Sequence, residues 1–335
     1  DLNGKKITGS GSLDIGKKFA YPDPDILSAA TLRIIGTGDI QTTYAVGVFE
    51  EATLDLNRWE GGTINIVTVS RNGVTNKEGT LIVGERAGHI NRLEFYSWPT
   101  TTITNAELLG GSYGVIDTTC NEYGKTLSLT DLLPDGYAFQ YSDETYADRA
   151  ELGQSISNIS VAKCRHTGFE ALTADGKCPY CDTGNFVALV ETSDGVLTAY
   201  EDIYAADAKL KSGDTMTLLD NNAAGLSIYN AITLDINGFY TGMVEIHAPV
   251  KLCNSDPTGG EIPSLIIGRK DIVLGDLLAD GYSFKDNTGK WLSVSELLGT
   301  SAENITVAKT AVSAVSFLPY ADTLSYGSSA MLSIS

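Results

Sequence analysis

The sequence predicts an all-β protein that folds as a right-handed parallel β-helix, or solenoid, in two modules. Short runs of strand-forming residues recur at intervals of mostly ten to seventeen residues, separated by Gly, Asn or Asp. Glycine occurs 35 times and proline only 9 times, which is typical of a turn-rich β protein. Signals for tight hairpins such as Asn-Gly are scarce, and this favours stacked coils over an antiparallel sandwich.

An internal repeat divides the chain into the two modules. Residues 127–164 and 272–310 share the frame Asp-Leu-Leu-x-Asp-Gly-Tyr-x-Phe, then a polar turn, then Asn-Ile-x-Val-Ala-Lys. Asp131 in the first copy matches Asp276 in the second, 145 residues later. Residues 1–4 and 235–238 form a second matching pair, Asp-Leu-Asn-Gly and Asp-Ile-Asn-Gly. Such repetition is the sequence signature of a solenoid, in which each coil contacts its neighbours.

The repeats predict four segments. They are a first β-helix module over residues 1–163, a zinc-binding linker over 164–184, a second module over 185–310, and the start of an incomplete Ig-like domain over 311–335. Each module is expected to end on a hairpin at its Gly-Tyr-x-Phe segment. In the second module the strand at residues 282–284 is expected to turn through 286–289 and to return through 290–292. A short amphipathic helix at residues 200–210 is expected to cap the second module, because an uncovered sheet edge invites pairing with other chains.

The net charge of −19 limits the classes of partner. Nucleic-acid binding needs clustered Lys and Arg, and this chain has 23 of these residues against 42 acidic ones. The same excess disfavours anionic membrane surfaces. No apolar run reaches the ~18 residues of a membrane-spanning helix, so we expect no direct membrane insertion.

Two pairs of ligand-type residues in the linker predict a structural zinc site. The pairs are Cys164-Arg-His166 and Cys178-Pro-Tyr-Cys181, with eleven residues between His166 and Cys178. Four sulfur and nitrogen ligands suit a tetrahedral zinc ion, and four protein ligands leave no open position for catalysis. The alternatives are a Cys178–Cys181 disulfide, a redox pair or free thiols.

Two other patterns bear on catalysis, and we interpret both as structural. Gly110-Gly-Ser112-Tyr-Gly114 matches the Gly-x-Ser-x-Gly pattern of nucleophilic serines, but it leads into a strand instead of a helix. A glycosidase needs two acids across a groove. The acids that lie in or beside predicted strands are Asp14, Asp55, Glu94 and Asp117. Among 42 acidic residues some are expected to lie close together by chance. We therefore favour the interpretation that these four acids lie on solvated faces and in turns.

Two tryptophans are candidates for contact with a partner. Trp59 lies in the turn-like segment Asn-Arg-Trp-Glu-Gly-Gly, and Trp98 precedes Pro99. Aromatic side chains in loops can stack on sugars or anchor a protein interface. The alternative is local packing over the end of a coil.

The combined motifs resemble the large, repetitive, secreted or wall-anchored β-helix proteins of gut Firmicutes, often described as adhesin-like or pectate-lyase-like. The resemblance rests on the two module openings and the two module endings, on Lys-Ser-Gly-Asp-Thr-Met-Thr-Leu-Leu at 211–219, and on the linker with paired metal ligands. Linkers of that family carry His-x-His before Gly-Lys-Cys-x-x-Cys, and Cys164 stands here in place of the first His. The resemblance covers nearly the whole chain and is specific for architecture.

The resemblance implies an extracellular protein of a Gram-positive bacterial cell surface. We expect it to bind a host macromolecule, such as a glycan, mucin or immunoglobulin, without catalysing a reaction. Two alternatives are a polysaccharide lyase or glycoside hydrolase of the β-helix class, and a passive structural stalk. An exposed aromatic or apolar patch on one face favours the binding protein, whereas an acid pair in a deep groove favours the enzyme.

Overall fold

The computed structural model describes residues 2, 4–9, 13–15, 31–42, 45–48, 52–70, 79–96, 106–119 and 128–310. The described chain is mostly β with few helices, and its strands stack as a β-solenoid of about 9 turns, which confirms the predicted solenoid class. Two compact units are present, Asp1–Gly184 and Asn185–Ser335. Residues 311–335, predicted to begin an Ig-like domain, lie outside the described residues.

The first unit consists of two sheets to which each coil adds strands. Its strands are β1 (Ile7–Gly9), β2 (Leu13–Ile15), β3 (Thr31–Thr37), β4 (Ile40–Thr42), β5 (Val46–Val48), β6 (Thr53–Gly61), β7 (Thr63–Ser70), β8 (Thr80–Val83), β9 (His89–Tyr96), β10 (Ala106–Leu108), β11 (Ser112–Asp117), β12 (Tyr137–Tyr141), β13 (Ser155–Lys163) and β14 (Thr167–Phe169). One sheet has the order β1-β4-β7-β9-β11-β13-β12, with β5 pairing β2 and β7, and the other has the order β10-β8-β6-β3. Ladders between successive coils are parallel, and β13 pairs antiparallel with both β11 and β12 at the end of the unit.

Parallel stacking aligns the inward side chains of successive coils into rows. Val67 pairs with Leu93, and Leu93 pairs with Ile116 on the following coil. All three side chains are fully buried. Burying an aliphatic side chain of this size contributes ~1.5–3 kcal/mol, so each row stabilises the coil on either side of it. The alternation of apolar and polar residues along the strands therefore supplies the core that was predicted for a solenoid wall.

The second unit repeats the design with shorter strands. Its elements are β15 (Ala188–Glu191), β16 (Leu197–Tyr200), α1 (Ile203–Asp207), β17 (Thr215–Leu218), β18 (Leu226–Ile228), β19 (Thr233–Asp235), β20 (Met243–Ile246), β21 (Lys251–Cys253), β22 (Glu261–Ile267), β23 (Tyr282–Lys285), α2 (Val294–Leu297) and β24 (Ser301–Lys309). Parallel ladders join β17, β19 and β21 in one sheet, and β18, β20 and β22 in the other. Antiparallel pairs close both sheets, β15 with β16 and β17 in the first, and β24 with β22 and β23 in the second.

Both units end with the same structural motif, a short 3-10 helix followed by an antiparallel pair of strands. The Asp-Leu-Leu segments form short 3-10 helices, Leu129–Leu132 and Leu274–Leu277. In each helix the aspartate carboxylate accepts a hydrogen bond from the backbone N–H three residues earlier, Asp131 from Ser128 and Asp276 from Val273. The antiparallel pairs β12·β13 and β23·β24 follow in the two units.

The second hairpin differs from the prediction in its main partner strand. The predicted return through residues 290–292 makes only an isolated bridge between Lys285 and Trp291, and β24 supplies the long partner. The return is short because Ser293 caps helix α2. Its hydroxyl accepts from the backbone N–H of Glu296, whose carboxylate accepts from the N–H of Ser293. Such a capping box begins a helix and so ends the strand.

The predicted helix at residues 200–210 is present but shorter. Helix α1 begins at Ile203, after the N-cap Asp202, because the preceding residues Leu197–Tyr200 pair as strand β16 with β15. The helix ends at Asp207. Ile203, Ala206 and Leu210 are buried in the core of the second unit. The helix therefore contributes apolar cover to the first strands of that unit, as the amphipathic pattern predicted.

Close stacking of turns makes Gly88 sensitive to substitution. A Cβ at this position would lie 2.4 Å from the carbonyl oxygen of Gly62 on the preceding coil and 2.9 Å from Trp59 Cζ2. We expect Gly88→Ala to lower the free energy of unfolding of the first unit by about 1–3 kcal/mol, the usual cost of overpacking. Urea unfolding monitored by hydrogen exchange in β7 and β9 measures this. Gly153→Ala is the matched control, since a Cβ there has nothing within 4 Å. Equal stability of the two variants would contradict the expectation.

Candidate metal centre

The four linker residues predicted to bind metal lie together in the folded chain. Their ligand atoms are all within 4.8 Å of one another. Cys164 Sγ lies 3.8 Å from Cys178 Sγ, and Cys181 Sγ lies 3.5 Å from His166 Nδ1. The cysteines are buried, at 5%, 1% and 1% exposed for Cys164, Cys178 and Cys181, and His166 is half-buried.

The first ligand pair is positioned by the end of strand β13. Cys164 directly follows this strand, and its backbone N–H donates to the carbonyl of Gly136 at 2.8 Å. His166 then adopts a positive φ of 52°, and its N–H donates to the Cys164 sulfur at 3.4 Å. A left-handed residue is uncommon outside glycine. Here it turns the chain sharply enough to aim both side chains at one point.

The second pair lies on a tight loop. The Cys178 N–H donates to the Thr183 carbonyl at 2.8 Å, and the Asp182 N–H donates back to the Cys178 carbonyl at 3.0 Å. Asp182 has a positive φ of 62°. The Lys177 ammonium, 3.1 Å from an Asp182 carboxylate oxygen, ties the residue before the loop to the residue after it. This closed loop brings the Cys178 and Cys181 thiols to the same side.

Aromatic rings surround the cluster. The Tyr180 hydroxyl donates to the Gly168 carbonyl at 2.8 Å, and the Tyr180 ring lies 5.5 Å from Tyr146 and 6.2 Å from Phe169, centroid to centroid. Aromatic pairs at these separations add about 0.5–1.5 kcal/mol each. Within residues 164–184 the buried side chains are the three cysteines and Phe169, so the segment has little apolar core of its own.

Two of the separations within the cluster fit a tetrahedral zinc ion. With Zn–S bonds of about 2.3 Å and Zn–N bonds of about 2.0–2.1 Å, two sulfurs lie roughly 3.7 Å apart and a sulfur and a nitrogen roughly 3.5 Å apart. The Cys164–Cys178 and Cys181–His166 distances match these two values. The donor set is also one that zinc prefers. The residues can therefore hold a metal ion such as zinc.

The electrostatics of the cluster favour a cation. Hydrogen bonds from Cys164 and Cys178 lower the pKa of Cys181, whereas contacts with Cys178 and Cys181 raise the pKa of Cys164. The sulfurs of Cys178 and Cys181 raise the pKa of His166 to about 9. The thiols thus cannot all ionise beside one another unless a positive charge is present. Metal binding must therefore release protons from the cluster.

The described cysteines are all free thiols, so the alternative of a Cys178–Cys181 disulfide is not formed. Cys253, the other described cysteine, lies in the second unit, and Cys120 lies outside the described residues. An ion bound by all four residues would have four protein ligands.

The assignment of Trp59 as a partner contact is wrong. Its side chain is 0% exposed and lies in strand β6, and the indole Nε1–H donates to the Gly38 carbonyl at 3.0 Å. Glycines after Trp59 suggested a turn, but β6 continues to Gly61 beside β3 with register shifts that direct the ring inward. The second tryptophan predicted to contact a partner, Trp98, lies outside the described residues.

Sequence reasoning missed a contact of Ser112, the serine of the Gly-x-Ser-x-Gly pattern. His89 Nδ1 lies 2.9 Å from Ser112 Oγ, because the two residues are register partners on β9 and β11. Twenty-three positions separate them in the chain, and only the coil length could have indicated the pairing. Ser112 opens a strand, so the strand-to-helix elbow of nucleophilic serines is absent here.

The acids considered as a glycosidase pair are engaged in ion pairs. Asp55 accepts from Arg33 at 2.6 Å, and Arg92 bridges Glu94 and Asp117. Burial raises the pKa of Asp117, but hydrogen bonds from Thr119 and the charge of Arg92 together lower it by more. The pKa of Asp117 is therefore below its ordinary value. A general acid needs a raised pKa. The side chain of Asp14 lies outside the described residues.

Within the described residues, no helix is long and apolar enough to cross a membrane. Comparisons with protein-family models, with curated proteins and with solved structures found no match to this chain.

Proposed function

We propose that this chain is a non-catalytic extracellular protein that binds a neutral glycan, such as those carried by host mucin or immunoglobulin. The supporting observation is an exposed aromatic stack on the second unit. Tyr229 and His247 stack in parallel, with ring centroids 4.5 Å apart and an interplanar angle of 1°. Tyr229 is 67% exposed, so the outer part of this stack is open to solvent.

The stack belongs to a continuous sheet surface that we call the outer face, comprising Tyr229, Met243, Glu245, His247 and Ile266. Strands β18, β20 and β22 hold these residues in register, with Ser227 beside Glu245 and Glu245 beside Ile266. Met243 and Ile266 are exposed. An exposed apolar and aromatic surface marks a binding site more often than a structural one.

The rings are held in place by their neighbours. His247 Nε2 lies 3.3 Å from Glu245 Oε1. On the next coil the same row is occupied by Gly268, where a Cβ would lie 2.6 Å from His247 Nδ1. Glycine at this position therefore leaves room for the imidazole that stacks on Tyr229. A rigid ring binds at a lower entropic cost than one that must be ordered first.

The chemistry of the outer face favours an uncharged sugar. An open tyrosine ring can stack on the apolar side of a pyranose, while Glu245 and Ser227 offer acceptors and a hydroxyl for sugar hydroxyls. The net charge of −19 opposes sialylated or sulfated glycans. Mucin and immunoglobulin both carry glycans, which gives the two expected host partners a shared chemistry.

We expect Tyr229→Ala to weaken glycan binding at least about 10-fold, because an aromatic anchor commonly contributes 1.4–2 kcal/mol or more. Binding to an array of neutral and sialylated glycans measures the loss of affinity. Titration with mucin and with immunoglobulin tests whether the same loss occurs with these glycoproteins. Tyr204→Ala is the matched control, since Tyr204 is 60% exposed on helix α1 of the same unit.

Three other results would each contradict the proposal in a different way. Undiminished binding to enzymatically deglycosylated immunoglobulin or mucin would assign recognition to the protein surface and overturn the glycan proposal. Release of reducing or unsaturated sugar ends from a glycan panel would favour the enzyme. Neither binding nor turnover would favour a stalk.

The proposal includes three finer points. The metal is zinc, in a structural role, supported by the three cysteines, the one histidine and the two ligand separations that match a tetrahedral zinc ion. The coils are right-handed, the usual sense of parallel crossover connections. The location on a Gram-positive bacterial cell surface is supported by the resemblance to adhesin-like β-helix proteins of gut Firmicutes.

A further inference from the structure

A groove lies next to the outer face on the second unit. It runs between the starts of strands β19 and β21 and the segment that contains Asp271 and the 3-10 helix Leu274–Leu277. Its volume is about 620 Å³, within the ~300–1,000 Å³ of sites that hold small organic ligands. The residues that line it are distinct from those of the outer face, so it offers a ligand a separate set of contacts.

The groove adjoins the outer face through the turns of two successive coils. Tyr229 is two residues before Ala231, which lines the groove, and His247 is two residues before Pro249, which lines it as well. Two residues of chain span at most ~7 Å, so the stacked rings and the groove are neighbouring parts of one surface. A ligand of more than one ring can therefore contact both.

The charged side chains in the lining have partners within the protein. The Lys251 ammonium donates to the Asp276 carbonyl at 2.8 Å. The Asp271 carboxylate accepts from Arg269 Nε at 3.0 Å, and the Asp276 carboxylate accepts from the Val273 N–H at 3.0 Å. An ionic ligand would have to compete with these contacts for its own partners. The groove therefore favours an uncharged ligand.

The rest of the lining combines apolar surface with hydrogen-bonding groups. Ala231, Pro249 and Val250 are apolar, whereas Thr233 carries a hydroxyl group. The carboxylates of the lining also retain lone pairs for a ligand hydroxyl, because each carboxylate has about four acceptor positions. A sugar ring has the matching features, an apolar face and a rim of hydroxyl groups.

We propose that the groove is a second subsite of the glycan site, so that a neutral oligosaccharide places one sugar residue on Tyr229 and a neighbouring one in the groove. This inference rests on the proposed glycan-binding function. Two contiguous subsites make the affinity depend on the length of the sugar chain, because a single sugar residue fills only one of them. Recognition by the aromatic stack alone would be nearly independent of length.

Titrations of the full chain with sugars of increasing length test this dependence. The probes are galactose, N-acetyllactosamine and a chain of two N-acetyllactosamine repeats, all of them neutral. We expect the affinity to rise at least about 10-fold from galactose to the two-repeat chain. Ala231→Trp places an indole in the groove and should reduce this gain to less than about 2-fold. Ala224→Trp is the matched control, because Ala224 is exposed on the turn between β17 and β18 and its substitution should keep the full gain.

Methyl NMR spectra of the native chain give a second readout that needs no substitution. The signals of Ala231 and Val250 report on the groove, and those of Met243 and Ile266 report on the outer face. Galactose should shift the outer-face signals, and the two-repeat chain should shift both sets. A two-repeat chain that leaves Ala231 and Val250 unshifted, or a gain with length that survives Ala231→Trp, would overturn the proposal.

Failure of the subsite can be distinguished from failure of the proposed function. Shifts confined to Met243 and Ile266 would exclude the groove and leave the glycan-binding function standing. Shifts confined to Ala231 and Val250, with an affinity that Tyr229→Ala does not change, would remove the outer face from the site and overturn both proposals. If none of the three sugars binds, the subsite is overturned, and the glycan array with Tyr229→Ala decides the proposed function separately.

Discussion

Removal of the metal from the Cys164–Cys181 cluster is expected to unfold residues 164–184 while the solenoid coils persist. The segment holds one short strand, and apart from its own aromatic contacts the ligands are the main groups that converge in it. Structural zinc in small peptides contributes an apparent ~10–16 kcal/mol, which is more than such a segment can replace by packing. Hydrogen exchange before and after chelation should show protection lost across the segment and kept in β7, β9 and β11.

Loss of a single ligand should have a smaller but still large effect. If the four ligands share the binding energy, Cys178→Ser weakens metal binding by about 3 kcal/mol, roughly 100-fold. Metal analysis should find close to one zinc per native chain, and a competition titration with a chromogenic chelator measures the affinity. Cys253→Ser is the control, because Cys253 is a free thiol of the second unit. Equal affinity of both variants, or a segment that stays protected without metal, would show that these residues do not hold a structural ion.

The contacts between the metal-binding segment and the end of the first unit predict a second effect of metal removal. The Pro179 carbonyl and the Tyr180 ring contact Arg149 and Tyr146 at the end of the first unit. When the segment unfolds, these contacts are lost, and exchange should rise in residues 146–151 more than in β12. Residues 291–296, the equivalent positions of the second unit, provide an internal reference whose exchange rates metal removal should leave unchanged.

The sequence was sufficient to predict features that depend on short spacing or on repetition. The ligand pairs were visible because each pair lies within four residues, and eleven residues are enough for a turn to bring the pairs together. The module endings were visible because they occur twice, and the Asp131 and Asp276 caps explain why that frame recurs. In both cases the determining contacts are local or duplicated.

Contacts between coils could not be predicted, because they depend on the number of residues in each coil. His89 meets Ser112 and Tyr229 stacks on His247 only after the register of successive strands is fixed. Irregular turns change that register from coil to coil. Trp59 is the clearest case, since its hydrogen-bond partner Gly38 is 21 positions earlier and the strand between Thr53 and Gly61 contains register shifts against β3.

Trp59→Ala is expected to destabilise the first unit by about 3–5 kcal/mol, the usual loss for a large aromatic side chain removed from a core. Trp59 is among the largest fully buried side chains of the described residues. Its loss would leave a cavity between the β3·β6 ladder and the Gly88 turn, where the ring lies close to the backbone. The Gly38 carbonyl would also lose the donor at 3.0 Å. Hydrogen exchange is the suitable measurement, because it reports the two units separately where a single melting curve would combine them.

The conservative variant distinguishes packing from hydrogen bonding. Trp59→Phe keeps most of the buried area but has no N–H to donate, so we expect it to retain more than half of the stability that Trp59→Ala loses. The remaining loss should be about 1 kcal/mol for the missing hydrogen bond, with a further contribution from the smaller ring. Strands β15 to β24 should exchange at native rates in both variants, since they form the core of the other unit. If Trp59→Ala left the exchange of β6 and β8 unchanged, the indole would not be part of the core, and a role in contact with a partner would have to be reconsidered.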